Sequence, residues 1–115
     1  MAKLTPLEIL TRARKVISKR SNWIKGYFAK TRRGEECDGS HENAVKFCAV
    51  GALSRAAGKD YVATHKARWA ARVLLDRESK NIVDFNDTHT HKEVLAVFDK
   101  VIKALKAKAA KRRKK

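Results

Sequence analysis

Acidic residues are missing from one stretch of this 115-residue chain: residues 100–115 hold no Asp or Glu but nine Lys or Arg. That excludes internal neutralisation there, so the stretch carries an open positive field that attracts polyanions. Proline is nearly missing too, since Pro6 is the single one, and little interrupts a helical pattern. No apolar run approaches the ~18 residues that span a bilayer, which argues against a membrane partner. MAKLTPLEIL passes straight into an amphipathic pattern without a small-residue cleavage site, so the expected location is cytoplasmic. Two cysteines are too few for a disulfide framework. Cys48 lies in an apolar stretch and reads as a small core residue, whereas Cys37 sits among polar neighbours.

The chemistry that is missing is equally informative. The chain has no glycine-rich phosphate loop, no G-x-S-x-G elbow and no convincing carboxylate pair, so no enzyme and no cofactor is expected. Cys37 and His41 stand four apart, but Glu35, Glu36 and Asp38 beside them favour a protonated, unreactive thiol. Zinc-finger spacing and basic-zipper heptads are absent. Asp87, His89 and His91 place two imidazoles two residues apart beside a carboxylate, residue types that can ligate zinc or another transition metal. Asp87 and Thr90, however, have ordinary capping reasons to stand at a helix start, and no third close ligand is evident beside the two imidazoles. No metal site is assigned.

What the chain does have is charge, and it is polarised. Residues 1–33 carry ten bases and one acid (+9), 34–60 three and five (−2), 61–99 six and six (0), and 100–115 nine and none (+9), which sum to +16. The positive field therefore belongs to the two ends.

Local patterns give the elements. Thr5-Pro6-Leu7-Glu8 is a capping box with proline at the first helical position, opening a helix to about Ser21. Ile9, Leu10, Ala13, Val16 and Ile17 share one face of it, and Arg12, Lys15 and Lys19 the other. Trp23–Lys30, the turn Arg32-Arg33-Gly34 and a short segment near Cys37 predict a β-hairpin. Ser40 is expected to cap a second helix over 41–57, apolar on all sides and therefore central, ended by Gly58. A third helix is expected over 61–79, burying Val62, Trp69, Ala70, Val73 and Leu74, with Arg68 and Arg72 outward. Residues 81–89 read as a loop whose Ile82, Val83 and Phe85 tuck onto the core. Thr90-His91-Lys92-Glu93 is a second capping box. It opens a last helix striped by Val94, Leu95, Phe98, Val101, Ile102, Leu105 and Ala109, with fraying expected past about Ala110. The fold class is mainly α (α+β): about four helices in a compact bundle, a small hairpin between helices one and two, and a basic helical tail. One domain is expected over 1–105, with 106–115 as a basic extension.

The order of landmarks adds a resemblance. Asn22-Trp23 with Gly26, then Phe47-Cys48-Ala49-Val50-Gly51-Ala52-Leu53, then Asn86-Asp87, then Val94 to Ile102 around Asp99, resembles an uncharacterised family of small bacteriophage and bacterial proteins. That family has a tryptophan segment, a W-C-A-x-G-A-L helix, an N-D loop and a V-L-x-x-x-D-x-A-I helix. Phe47 and Val101 depart from it where tryptophan and a small residue are usual, and both keep an apolar side chain. The resemblance covers roughly residues 7–103. It implies a compact helical domain of phage or bacterial origin, acting in the bacterial host cytoplasm or nucleoid, and it implies no activity.

Function therefore rests on charge. Arg12, Lys15 and Lys19 of helix one, Lys25, Lys30, Arg32 and Arg33 around the hairpin, and Lys103, Lys106, Lys108, Lys111, Arg112, Arg113, Lys114 and Lys115 are the candidate contacts to DNA or RNA phosphates. If the first and last helices are neighbours, these merge into one patch with little sequence specificity. Trp23, Tyr27 and Phe28 are read mainly as core and secondarily as base-stacking groups. Gly51 is read as a site of close helix packing. A helix-turn-helix formed by helices two and three, presenting Arg68 and Arg72, is a weaker reading. The alternatives are a module that binds an acidic host protein and a structural component of a virion or ribonucleoprotein particle. The sequence leaves the oligomeric state open.

Overall fold

A computed structural model describes residues 5–58, 60–72 and 81–113. In chain order they form α1 (Pro6–Val16), a 3-10 turn (Arg20–Asn22), β1 (Ala29–Thr31), β2 (Glu36–Cys37), β3 (Ala44–Phe47), α2 (Ala49–Ala57), α3 (Tyr61–Arg72), α4 (Ile82–Thr88) and α5 (His91–Arg113). The mainly helical α+β class holds, with helices packed around α2 and a small antiparallel sheet of order β2-β1-β3 at one side.

Both capping boxes form. Glu8 N donates to Thr5 Oγ1 at 3.2 Å while Thr5 N donates to Glu8 Oε1 at 3.1 Å, and Glu93 N and Thr90 N do the same with each other's side chains at 3.2 and 2.9 Å. Each box satisfies two backbone donors that a helix start otherwise leaves unpaired. Ile9, Leu10, Ala13 and Ile17 of the predicted α1 face are fully buried. Regular α-helix stops at Val16, however, and the 3-10 turn completes the path to Trp23. The hairpin forms as expected, with Ala29 opposite Cys37 and Lys30 opposite Glu36.

The second predicted helix begins late. Residues 44–47 are the strand β3, paired with β1 through Ala29–Phe47, Lys30–Lys46 and Thr31–Ala44, with a register shift that leaves Val45 as an extra, exposed residue. The cap is Cys48, not Ser40: its thiol accepts from Gly51 N. Pairing on both sides outweighs the helical pattern here, because Ile24 N donates to Phe47 O and Cys48 N to Phe28 O, each at 3.0 Å. The close contact predicted at Gly51 is with the sheet: a Cβ there would lie 1.8 Å from Phe28 O. Gly39 closes on the same turn, with a virtual Cβ 2.1 Å from Gly51 O. α2 is central as expected, with Ala49 to Leu53 all buried, and ends at Gly58.

Two further expectations are corrected. α3 is rotated from the predicted orientation: Ala63, Thr64 and Ala67 are buried, whereas Val62 and Trp69 are 65% and 60% exposed. Asp60 starts the helix by accepting from Ala63 N at 3.0 Å, and the small face lets α3 approach α1 and α2 more closely than a Trp-bearing face would. Arg68 is half-buried. Val73, Leu74 and the stretch to Ser79, expected to continue this helix, lie outside the described residues, as do the side chains of Ala70 and Arg72. Residues 82–88 form a helix, α4, where a loop was expected, because Asn81 caps it by accepting from Asp84 N at 2.9 Å. Ile82 and Phe85 do reach the core, and Val83 is half-buried against it. On α5 the core face is Val94, Val97, Phe98 and Val101, flanked by Leu95, Ile102 and Leu105. Val97 completes the stripe, and the helix continues through Arg113, past the point where fraying was expected.

Gly51→Ala is expected to destabilise the fold by ~1–3 kcal/mol or more in urea denaturation, since the methyl group meets backbone instead of a movable side chain. A second expectation concerns acid. The Thr5 backbone N–H, then its hydroxyl, then the nearby Arg12 charge hold the Glu8 carboxyl below its ordinary pKa. A depressed folded-state pKa stabilises fully above the unfolded value and is lost as pH falls through the lowered one. Glu8→Gln should flatten that part of the acid limb when urea midpoints are measured against pH.

Candidate nucleic-acid interface

The landmark residues Trp23, Gly26, Cys48, Gly51, Asn86 and Asp87 converge at one place. Asn86 is fully buried, and its Oδ1 accepts from Trp23 Nε1 at 2.6 Å and from Ala49 N at 3.0 Å. Its Nδ2 donates to Ile24 O at 3.0 Å and to Asp87 Oδ1 at 3.2 Å, so the carboxamide uses both lone pairs and both hydrogens. Asp87 Oδ1 also accepts from Gly26 N at 2.9 Å, where the backbone takes φ +83°, a conformation that favours glycine. Among the described residues no buried side-chain polar atom lacks a partner. This cluster is an anchor joining the tryptophan segment, the start of α2 and the end of α4.

The metal-ligand types are committed separately. His89 stacks on Phe85 with centroids 3.7 Å apart and sets Nδ1 2.9 Å from Phe85 O. His91 Nε2 lies 2.6 Å from Ile17 O, and because a carbonyl only accepts, that nitrogen carries a proton. Among the described residues no three His, Cys, Asp or Glu side chains are grouped as a metal centre needs. Both cysteines are free thiols. Burial first and Asp38 second push the Cys37 thiol above its ordinary pKa, and His41 Nδ1 accepts from Asn43 N at 3.0 Å.

The basic residues divide into two groups. α1 and α5 are neighbours and run antiparallel: His91 at the start of α5 meets Ile17 at the end of α1, and further along Arg14 pairs with Asp99. The pair is two-pronged, Nε to Oδ1 and Nη2 to Oδ2 at 3.2 Å, the geometry in which guanidinium holds carboxylate best. Lys92, Asp99, Lys103 and Lys106 follow at intervals of seven, four and three, so they share the face of α5 beside α1. Lys15 is exposed next to Arg14 on α1, and Arg12 and Lys19 are exposed too. Beyond Leu105 no described residue is buried, and Lys106, Lys108 and Lys111 are all exposed. The backbone of Arg112 and Arg113 continues the helix; their side chains, with Lys114 and Lys115, lie outside the described residues.

The hairpin group lies at the opposite end. Trp23, whose ring is 5.5 Å from that of His91, also bridges Phe47 of β3, so the sheet sits near the first turn of α5. At 1.5 Å per residue, Arg113 is ~33 Å further along that helix. Lys25, Arg32 and Arg33 are exposed here and Lys30 is half-buried. Lys25 Nζ stands 5.7 Å over the Trp23 ring and Lys30 Nζ 4.1 Å over Tyr27. The first and last helices are neighbours, as the single merged patch requires; Lys103 and Lys106 lie along the face of α5 beside α1, and Lys25, Lys30, Arg32 and Arg33 gather around the sheet near the first turn of α5. Of the aromatic residues, Trp23 is held in the anchor, whereas Tyr27 and Phe28 are 42% and 51% exposed.

A family model describing a family of unknown function (DUF6197) matches residues 1–104. The chain belongs to that family. No match is found among curated proteins or solved structures. In this DUF6197 member the matched span takes in α1, the sheet, the Asn86 anchor and Lys103, and Lys106 to Lys115 fall outside it. Among the described residues no helix is long and apolar enough to cross a membrane.

Asn86→Ala would strand the Trp23 and Ala49 donors, at ~1–3 kcal/mol for each unsatisfied group. The expected outcome is a lowered urea midpoint together with altered tryptophan emission from Trp23. An unchanged midpoint would show that the anchor contributes little.

Proposed function

We propose that this protein binds DNA or RNA through the phosphate backbone, using the seam between α1 and α5 and the basic turns of α5 that follow it, and carries out no catalysis. The observation that carries the reading is the Arg14–Asp99 pair. It ties the two basic helices side by side and neutralises one of the two acids on α5; the other, Glu93, is engaged in the capping box. From Lys100 onward the helix has no carboxylate, so Lys15, Lys103, Lys106, Lys108 and Lys111 present uncompensated charge. Phosphate contacts of this kind position a protein without reading sequence. Specificity would come from nucleic-acid shape, or from Tyr27 and Phe28 stacking on unpaired bases.

The test is fluorescence anisotropy of the nuclease-treated full chain with duplex DNA, single-stranded DNA and structured RNA over a range of salt. With six to ten phosphate contacts, affinity falls by ~10³–10⁵ between 50 and 200 mM salt. Lys103→Ser with Lys106→Ser should reduce the slope by about one unit per lysine and weaken all sequences alike. Arg32→Ser with Arg33→Ser, at the other end, should change it less. Absence of binding at low salt, or a slope untouched by the α5 changes, would remove the proposal.

A further inference from the structure

The hairpin end carries a feature that phosphate binding does not use. A groove of about 1200 Å³ opens between the hairpin and the residues leading into β3. Its walls hold Glu35, Glu36, Asp38, Glu42 and Asp87 against Arg32 and Arg33, five acids to two bases, in a chain whose net charge is +16. The exposed side chains of Tyr27, Phe28 and Val45 line the same space. Carboxylates beside accessible rings are the chemistry that takes up Lys and Arg: the acids meet the charged head, and the rings take the aliphatic stem or the cation over a face. Lys30 already uses the Tyr27 ring in this way.

We propose that the groove docks the lysine-rich end of α5 from a second copy of the chain, joining copies head to tail. Charge and placement both favour this occupant. Past Leu105 the helix bears Lys106, Lys108 and Lys111 with no buried residue, so two turns are available for insertion. Two turns of helix, ~11 Å long and ~10 Å across, occupy roughly 850 Å³, which the groove accommodates. The copy that owns the groove cannot fill it, because Asp87 on its wall stands four residues before α5 begins, and the free turns lie at the far end of that helix. A contact between unlike surfaces of identical chains leaves one of each unfilled at the ends, so it builds rings or open chains.

Salt gives the association a signature. At low ionic strength the net positive charge of the two copies repels over long distances. Near ~0.15 M the Debye length of ~8 Å screens that repulsion and leaves the local attraction, and at ~1 M a length of ~3 Å weakens the attraction as well. The experiment is sedimentation velocity on the nuclease-treated full chain at these three salt levels. Roughly a doubling of the weight-average mass is expected at the middle level, with monomer at both extremes. Glu36→Lys with Asp38→Lys, and separately Lys108→Glu with Lys111→Glu, should each give monomer. Mixing the two variants should restore association, because each then offers a surface complementary to the other, and this recovery excludes misfolding as the cause. Monomer throughout, association that survives either reversal, or reversed variants that stay apart when mixed would overturn the proposal. Because nucleic acid is removed before sedimentation, this outcome is read independently of phosphate binding, and Glu36→Lys with Asp38→Lys changes no residue of the proposed phosphate contacts.

Discussion

The Asn86 carboxamide connects three stretches of chain that have no covalent reason to meet. Its oxygen is shared by the Trp23 indole and the first N–H of α2, and its nitrogen reaches the carbonyl of Ile24 and the carboxylate of Asp87. Asp87 in turn fixes the turn at Gly26. With these bonds in place the segment from Trp23 runs beside β3, and β1 can cover the opening turn of α2. Gly51 permits the closest point of that contact, where the Phe28 carbonyl occupies the space a side chain would need. A fully satisfied buried network specifies one arrangement, since any displacement leaves several groups unpaired at once. Without it, the three-stranded sheet is too small to persist by itself.

Around this anchor the molecule separates its charges. The neutral middle of the chain supplies α2, α3 and α4, which build the core or cap it, and the basic ends form the outer helices. Five of the twelve acids are given structural tasks: Glu8 and Glu93 cap helices, Asp99 holds Arg14, Asp60 starts α3 and Asp87 fixes Gly26. The carboxylates around the hairpin groove, Asp87 among them, give that groove an acidic lining within an end of the molecule that also carries Lys25, Lys30, Arg32 and Arg33.

Much of this was legible in the sequence wherever the information was local. Capping boxes depend on residues three apart, so Thr5 with Glu8 and Thr90 with Glu93 could be read directly, as could Gly58 and the Arg32–Gly34 turn. The apolar positions of α1 and α5 followed from periodicity. The errors arose where distant parts of the chain decide. Ala44 to Phe47 fits a helix until the pairing with Ala29 and Lys30 is known, although the alternation of Lys46 with Val45 and Phe47 was a strand signal. Trp69 looked like a core residue on bulk alone, whereas Ala63 and Ala67, four apart, marked the face that packs closely. The short α4 was missed because seven residues give too little periodicity, yet Asn81 three before Asp84 was its cap. For the candidate site, the basic residues were visible but their placement along the molecule was not, because it depends on the antiparallel course of α5 beside α1 and on a pairing between residues 85 positions apart.

The length of α5 beyond its last core contact has a mechanical consequence. An unbroken helix transmits orientation as a flexible chain does not, so Leu105, the last residue packed against the core, acts as a fulcrum and the turns past it as a lever arm. From Leu105 to Lys111 the arm is ~9 Å, so tilting it by about 10° displaces the lysine's backbone by ~1.6 Å. A change in how Leu105 packs would therefore redirect charges that touch nothing in the core.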